Sequence, residues 1–253
     1  MLSLVGLGLW DEKDLTLRGF ERARKADKIY LESYTSKWHG KVENLKKIFE
    51  KNVVQLERND LEEKAKKIIE EAKDLNIVIL VPGDPLIATT HSSLLLEAKK
   101  EGIKTEVIHN ASIYSAIGET GLHVYKFGAS ATIPFPEKTG EILPVSTYET
   151  LEENKKRNLH TLLFLDIMGE RNMSPNEGMN IMLKTEEVMK KKAFTEDTYI
   201  IILGRAGSEK PLMVYGKVKN LLGKDFGGPP FVIIVPGELH FTEREYLQIH
   251  RID

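Results

Sequence analysis

Apolar and polar positions along this chain fall into two alternating patterns. Short apolar runs read as strands, several of them buried on both faces. Between them lie stretches whose apolar residues recur every three or four positions, as on one side of a helix. Strand candidates in the first half cover residues 2–5, 28–31, 53–56, 77–81 and 105–108. In the second half they cover 131–135, 162–166, 199–203, 212–218 and 231–235. Strands separated by helical stretches predict βαβ units and an α/β fold. Five strands per half predict two α/β domains, 1–126 and 127–253, each with a mixed, mainly parallel sheet.

Helix starts are marked by side chains that can take up free backbone N–H groups. Asp60 is placed to cap a helix running to Lys73, with Glu63 completing a capping box. Leu61, Ala65, Ile68, Ile69 and Ala72 then share one face. Ser174-Pro175-Asn176-Glu177 combines a Ser cap, a Pro at the first helical position and a Glu three residues after the cap. It predicts a helix to about Lys192. Further helices are expected over 91–100 and 112–119, with Thr89 or Thr90 as the cap of the first. The stretch 134–146 holds three prolines and a glycine and reads as a loop.

Two strand ends carry special chemistry. The run 77–81 stops at Pro82-Gly83-Asp84-Pro85, and the run 2–5 stops at Gly6-Leu7-Gly8-Leu9. Glycine lets a ligand approach the backbone, and the prolines stiffen the loop. Ligands of open α/β sheets bind at the carboxyl ends of strands, so the two breaks predict a small-molecule site.

Composition narrows what that site can be. With 253 residues, 41% of them apolar, the chain can bury a sizeable core. Its net charge of −2 offers no global basic surface, and no direct nucleic-acid partner is expected. The absence of cysteine removes disulfides and thiolate metal sites, and an intracellular, cytoplasmic setting is the simplest reading. The longest clean apolar runs have five residues, against about 20 for a membrane span. An apolar start without basic residues, followed by Asp11, Glu12 and Asp14, does not read as a signal peptide.

Gly6-Leu7-Gly8 also opens a dinucleotide fingerprint, with Glu32 as a ribose carboxylate. Asp11 at the third glycine position and the neighbouring Glu12 and Asp14 oppose it, because carboxylates repel a pyrophosphate. No Gly-rich loop precedes Lys and Ser/Thr, so a Walker-type loop is absent. Asp84 has two readings: a turn former bonded to its own loop, or a carboxylate facing a cationic ligand. Ser112 is either a cap or the start of a helix whose N–H groups take a ligand carboxylate. The acidic set Asp11, Glu12, Asp14 and Glu32 could stabilise positive charge in a cleft or be ordinary solvated charges. The seven histidines show no metal-ligand spacing, and no metal is expected. His240 is the most suggestive of them, since it follows the strand-end break Val235-Pro236-Gly237.

Taken together, several segments resemble the tetrapyrrole methylase superfamily of S-adenosylmethionine (SAM) enzymes. They are Gly6-Leu7-Gly8-Leu9, Pro82-Gly83-Asp84-Pro85 and Gly204-Arg205-Ala206-Gly207. The segments Leu31-Glu32-Ser33-Tyr34-Thr35-Ser36, Gly83 to His91, Ala111 to Ala116, Gly121 to Gly128 and His160 to Asp166 are similar to its diphthine-forming, archaeal-type branch. The resemblance implies SAM bound in a cleft between the two domains, S-adenosyl-L-homocysteine as product, and a homodimer. It implies successive methylation of the amino group of the 3-amino-3-carboxypropyl-histidine of translation elongation factor two. The cofactor contacts it implies are Leu9, Asp84, Ile87, Ser112, Ile113, Leu165, Ala206 and His240; it assigns no catalytic residue. Methylation of a precorrin or of ribosomal RNA is the alternative within the superfamily, and a nicotinamide-dependent oxidoreductase the alternative outside it.

Overall fold

The computed structural model describes residues 1–62 and 64–252. The chain divides into two compact units, Met1–Ala116 and Ile117–Asp253. The sequence reading drew its boundary at Phe127. Residues 117–126 form two short 3-10 turns, and the backbone N–H of His123 in this stretch donates to Glu243 of the second unit, 2.8 Å away.

In chain order the first unit runs β1 (Leu2–Gly6), α1 (Leu17–Arg24), β2 (Lys28–Glu32), α2 (Val42–Phe49), β3 (Val53–Leu56), α3 (Arg58–Glu62), α4 (Ala65–Asp74), β4 (Ile77–Val81), α5 (His91–Lys100), β5 (Thr105–Ile108) and α6 (Ile113–Ala116). Its sheet has the order β3-β2-β4-β1-β5, and every neighbouring pair is parallel. Strand β4 is apolar throughout because both its faces are covered. Ile77, Ile79 and Val81 pack with Ile68, Ile69, Ala72, Leu94 and Ala98 of α4 and α5. Val78 and Leu80 pack on the other face with Ala23, Leu45 and Phe49 of α1 and α2. Each fully buried aliphatic side chain of this kind contributes about 1.5–3 kcal/mol.

That arrangement locates a switch point. From β1 the chain turns toward β2 and β3 through helices on one face; from β4 it passes to β5 through α5 on the other. Strands β1 and β4 are neighbours, with Gly6 registered against Val81. No crossover covers their carboxyl ends, which is where open α/β sheets leave a crevice.

Two helix expectations change. The helix expected from Asp60 to Lys73 is two helices, α3 and α4, and Asp60 lies inside α3, where its Oδ2 accepts from Glu57 N at 2.9 Å. Glu63, the proposed capping-box partner, lies outside the described residues. The stretch expected to be helical over 112–119 gives only the single turn α6, then a 3-10 turn at Ile117–Thr120. Helix α5 has the expected bounds, but Thr90 at its start makes no side-chain capping bond.

The second unit runs β6 (Ala131–Ile133), α7 (Val145–Lys156), β7 (Thr161–Leu165), β8 (Ile167–Met168), β9 (Arg171–Asn172), α8 (Pro175–Met189), β10 (Tyr199–Gly204), β11 (Leu212–Lys217), α9 (Val218–Leu221), β12 (Phe231–Val235), α10 (Phe241–Gln248) and β13 (Arg251–Ile252). Six strands have the order β13-β11-β10-β12-β7-β6; β8 and β9 form a separate hairpin. The sheet is mixed: β11–β10, β10–β12 and β12–β7 are antiparallel, while β6–β7 and β11–β13 are parallel. Its core gathers Phe135, Tyr148, Met179, Met182, Phe194, Ile202 and Ile233. The stretch 134–146 is a loop with one 3-10 turn, Pro136–Lys138, and α7 starts at its end.

Helix α8 starts as its sequence dictates. Ser174 Oγ accepts from Glu177 N at 3.2 Å, and Glu177 Oε2 accepts from Ser174 N at 2.8 Å. It ends at Lys190, which takes a left-handed φ of 55°. Ser174→Ala is expected to cost about 1 kcal/mol, read as a lower urea midpoint for the full chain.

Candidate functional site

The loops after β1, β4 and β5 converge at the switch point. Gly8 N donates to Gly83 O at 3.2 Å and Gly83 N donates to Gly8 O at 2.8 Å, an antiparallel bridge between the two glycine loops. Both residues need positive φ, +81° at Gly8 and +69° at Gly83. A Cβ on Gly6 would lie 2.6 Å from Gly83 O and 2.7 Å from Asn110 Cβ. Only glycine therefore lets the loops close on each other here.

Asn110 ties the third loop in. Its Nδ2 donates to Gly6 O and to Asp14 O, each at 3.0 Å, and its Oδ1 accepts from Ala111 N. Asp84 completes the junction. It is buried; Oδ1 accepts from Leu86 N at 3.0 Å, and Oδ2 accepts from Asn110 N at 3.2 Å and lies 2.8 Å from His109 Nδ1. The turn-forming reading of Asp84 is thus what the geometry shows, extended to hold a neighbouring loop. Asp84→Asn would turn an amide NH2 toward N–H donors at one end or the other. It is expected to cost about 1–3 kcal/mol, measured by urea unfolding; a variant indistinguishable from the parent would refute the role.

The acidic set likewise serves the loops. Asp14 Oδ2 accepts from Trp10 N at 2.7 Å, Asp11 Oδ1 from Lys13 N at 2.9 Å, and Glu12 from Lys41 N and the Asn44 amide. Glu32 is fully buried and accepts from Tyr34 N, Thr35 N and Thr35 Oγ1 at 2.6–2.8 Å. These carboxylates shape backbone rather than stand free in solvent.

The expected ligand residues of the first unit cluster on the same loops. Leu9 follows the bridge glycine, Asp84 and Ile87 lie beyond Gly83, and Ser112 and Ile113 follow Asn110. Ser112 is a cap: its Oγ accepts from Tyr114 N at 3.3 Å, and Ser112 N donates to Ser115 Oγ at 3.0 Å. The helix it opens is one turn long, too short for the dipole-based anion site considered from sequence. Gly83 is open on one side, since an added Cβ would meet nothing nearer than Ser112 Cβ at 3.8 Å. The loops therefore leave room for a small ligand to approach the backbone closely.

In the second unit, Leu165 ends β7, Ala206 lies just past β10, and His240 caps α10. Asp166, next to Leu165, accepts from Phe135 N, Ile167 N and the Lys138 ammonium. Arg205, with a left-handed φ of 53°, donates Nη1 to Phe226 O and Gly228 O and so fixes the turn that carries Ala206.

Around His240 the structure shows a network that the sequence reading did not find. Glu243 is fully buried. It accepts from His123 N, His240 N and Lys126 Nζ at 2.7–2.8 Å and from His160 Nε2 at 3.0 Å. Burial pushes its carboxyl up, but the Lys126 ammonium and the N–H donors outweigh it and hold the pKa at about 2. Gly237 N donates to His160 Nδ1 at 2.9 Å, so the His160 proton sits on Nε2, toward Glu243. Burial lowers the His160 pKa in spite of that carboxylate. Glu243 stands three residues after His240, the spacing of a capping box and the one local signal available. Asn110, just past a strand, had only its position to mark it.

The sequence matches the family described as Tetrapyrrole (Corrin/Porphyrin) Methylases over residues 1–222. The chain belongs to the tetrapyrrole methylase family. It is a methyltransferase, and its resemblance to this family is borne out over residues 1–222. A diphthine synthase of Methanocaldococcus jannaschii is 46% identical over 98% of both chains, and one of Methanococcus aeolicus is 45% identical over 98% of this chain and 97% of its own. A crystal structure of a diphthine synthase superposes with a TM-score of 0.90 at 41% identity, covering 99% of this methylase and 95% of that chain. The methylase fold here is accordingly a parallel five-stranded sheet in one unit and a mixed sheet in the other. Among the described residues no group of three or more His, Asp or Glu could hold a metal, and no helix is long and apolar enough to cross a membrane.

Proposed function

We propose that this methylase is a diphthine synthase: a SAM-dependent N-methyltransferase acting in diphthamide biosynthesis. Its substrate is the 3-amino-3-carboxypropyl-histidine of translation elongation factor two, and successive transfers to one amino group give diphthine. The observation that carries the reading is the 46% identity to a diphthine synthase over 98% of both chains. No feature of the site favours the precorrin, ribosomal RNA or nicotinamide alternatives. The protein works as a cytoplasmic homodimer, with S-adenosyl-L-homocysteine as its second product.

SAM supplies a methyl carbon already activated by its sulfonium. The chain supplies position. In the first unit, Leu9, Asp84, Ile87, Ser112 and Ile113 hold the cofactor through the three bonded loops. Asp84 acts chiefly through the backbone it fixes. Orientation of amine and methyl carbon can remove roughly 7–11 kcal/mol of a barrier. The attacking amine must be neutral before each transfer, so the site must favour loss of its proton.

The test is mass spectrometry of elongation factor two carrying the aminocarboxypropyl-histidine, incubated with this protein and SAM. A gain of about three methyl masses on that residue is expected if one amino group is carried through to a trimethylated product. No gain, with SAM still bound, would return the substrate to the alternatives.

A further inference from the structure

The three-loop junction carries one imidazole that is held at one nitrogen and open at the other. His109 is the first residue after β5, at the carboxyl end of the strand that neighbours β1. Its Nδ1 lies 2.8 Å from Asp84 Oδ2, and its side chain is 67% exposed against 8% for Asp84. A carboxylate oxygen accepts, so the ring proton sits on Nδ1 and points at Asp84. In the neutral ring the lone pair is then on Nε2, which has no hydrogen-bond partner among the described residues.

The carboxylate that orients the ring is itself fixed. Asp84 Oδ1 accepts from Leu86 N at 3.0 Å, and Oδ2 also accepts from Asn110 N at 3.2 Å. A histidine with a buried carboxylate at one nitrogen and an open acceptor at the other has the arrangement of a general base. The neighbouring carboxylates have other partners: Asp14 takes Trp10 N, and Glu32 is buried against three donors. An imidazole also suits an amine better at neutral pH, since carboxyl groups ordinarily titrate near about 4 and imidazoles near about 6.5.

We propose that His109 is the proton acceptor of the methyl transfer, with Asp84 as its positioning residue. The inference rests on the diphthine synthase reading, because it needs an amine that arrives as an ammonium. His109 Nε2 takes one proton from that ammonium, and the ring becomes an imidazolium whose Nδ1–H stays on Asp84. The freed lone pair of the amine forms the bond to the methyl carbon, while the carbon–sulfur bond breaks and its electron pair stays on sulfur. The exposed ring then passes its proton to solvent before the next transfer. Each methyl added releases one proton, and a trimethylammonium product has none left to give.

The experiment compares His109→Ala and His109→Gln with the parent, in the full chain, on elongation factor two carrying the aminocarboxypropyl-histidine. Both variants are expected to lower kcat at least about a hundredfold, the usual share of a general base. KM for the factor, and SAM affinity by titration calorimetry, should stay within about threefold. Imidazole in the buffer should restore part of the rate to His109→Ala, where it finds room, and none to His109→Gln. A further readout needs no turnover: nitrogen NMR of the free protein should show neutral His109 as the Nδ1–H tautomer. An Nε2–H tautomer overturns the proposal, and so does a kcat within about threefold of the parent's in both variants. A loss of activity in His109→Ala that imidazole does not restore also overturns it, by assigning the ring to the structure of the loops. A parent protein that leaves the factor unmethylated overturns the diphthine synthase reading and the acceptor role with it, an outcome told apart because no variant is involved.

Discussion

Gly6→Ala is expected to abolish most SAM binding while leaving a folded protein. Its new Cβ would sit 2.6 Å from Gly83 O and 3.2 Å from Asn110 N, both backbone atoms, so no flexible side chain can swing aside. The loops after β1, β4 and β5 must part. Overpacking of this kind costs about 1–3 kcal/mol of stability. The loss at the ligand should be larger, because displacing a positioning loop by about 1 Å can cost on the order of a hundredfold. Gly118→Ala is the control: nothing lies within 4 Å of its Cβ position and its φ is not left-handed. Titration calorimetry with SAM decides the matter. If Gly6→Ala binds SAM as tightly as Gly118→Ala does, the three-loop junction does not form the cofactor site.

Glu243→Gln should be the most destabilising single change in the second unit. The carboxylate is fully buried and compensates the Lys126 ammonium and the N–H groups of His123 and His240. A Gln presents one oxygen and one NH2, so at least one donor faces another donor. Breaking a buried pair by removing one partner costs about 3–5 kcal/mol. The pH dependence has a defined sign. The folded pKa, about 2, lies below the ordinary 4.5. The carboxylate therefore contributes stability that is complete above the ordinary value and is lost as pH falls toward 2, roughly 3 kcal/mol in all. Urea unfolding at pH 7 and at pH 3 should show the gap between parent and variant narrowing in acid. A gap of the same size at both values would mean that charge is not what Glu243 contributes.

What could be read from the sequence follows from what leaves a local trace. Strand β4 was legible because both its faces are buried and no polar residue interrupts it. Helix α8 was legible because Ser174 and Glu177 satisfy each other within one turn. The direction of β10, β11 and β12 was not, since apolar runs look alike whichever way a strand runs. Helix α1 was not singled out because its core side is only Gly19 and Ala23, too little to set a period. The glycine loops were found, but the bond between Gly8 and Gly83 joins residues far apart in sequence. For the same reason Asp84 and the acidic set allowed two readings, and only the partner atoms decided for loop structure. His160 and Glu243, 83 residues apart, share no signal at all until folding brings them together.

The paired amides of Gly8 and Gly83 also bear on timing. Two loops that are already bonded to each other in the free chain do not have to find each other when a ligand arrives. The conformational entropy of closing that junction is lost during folding and is not charged again at each encounter. Association at these loops can then run at the pace of collision and alignment, with no slow closing step ahead of it.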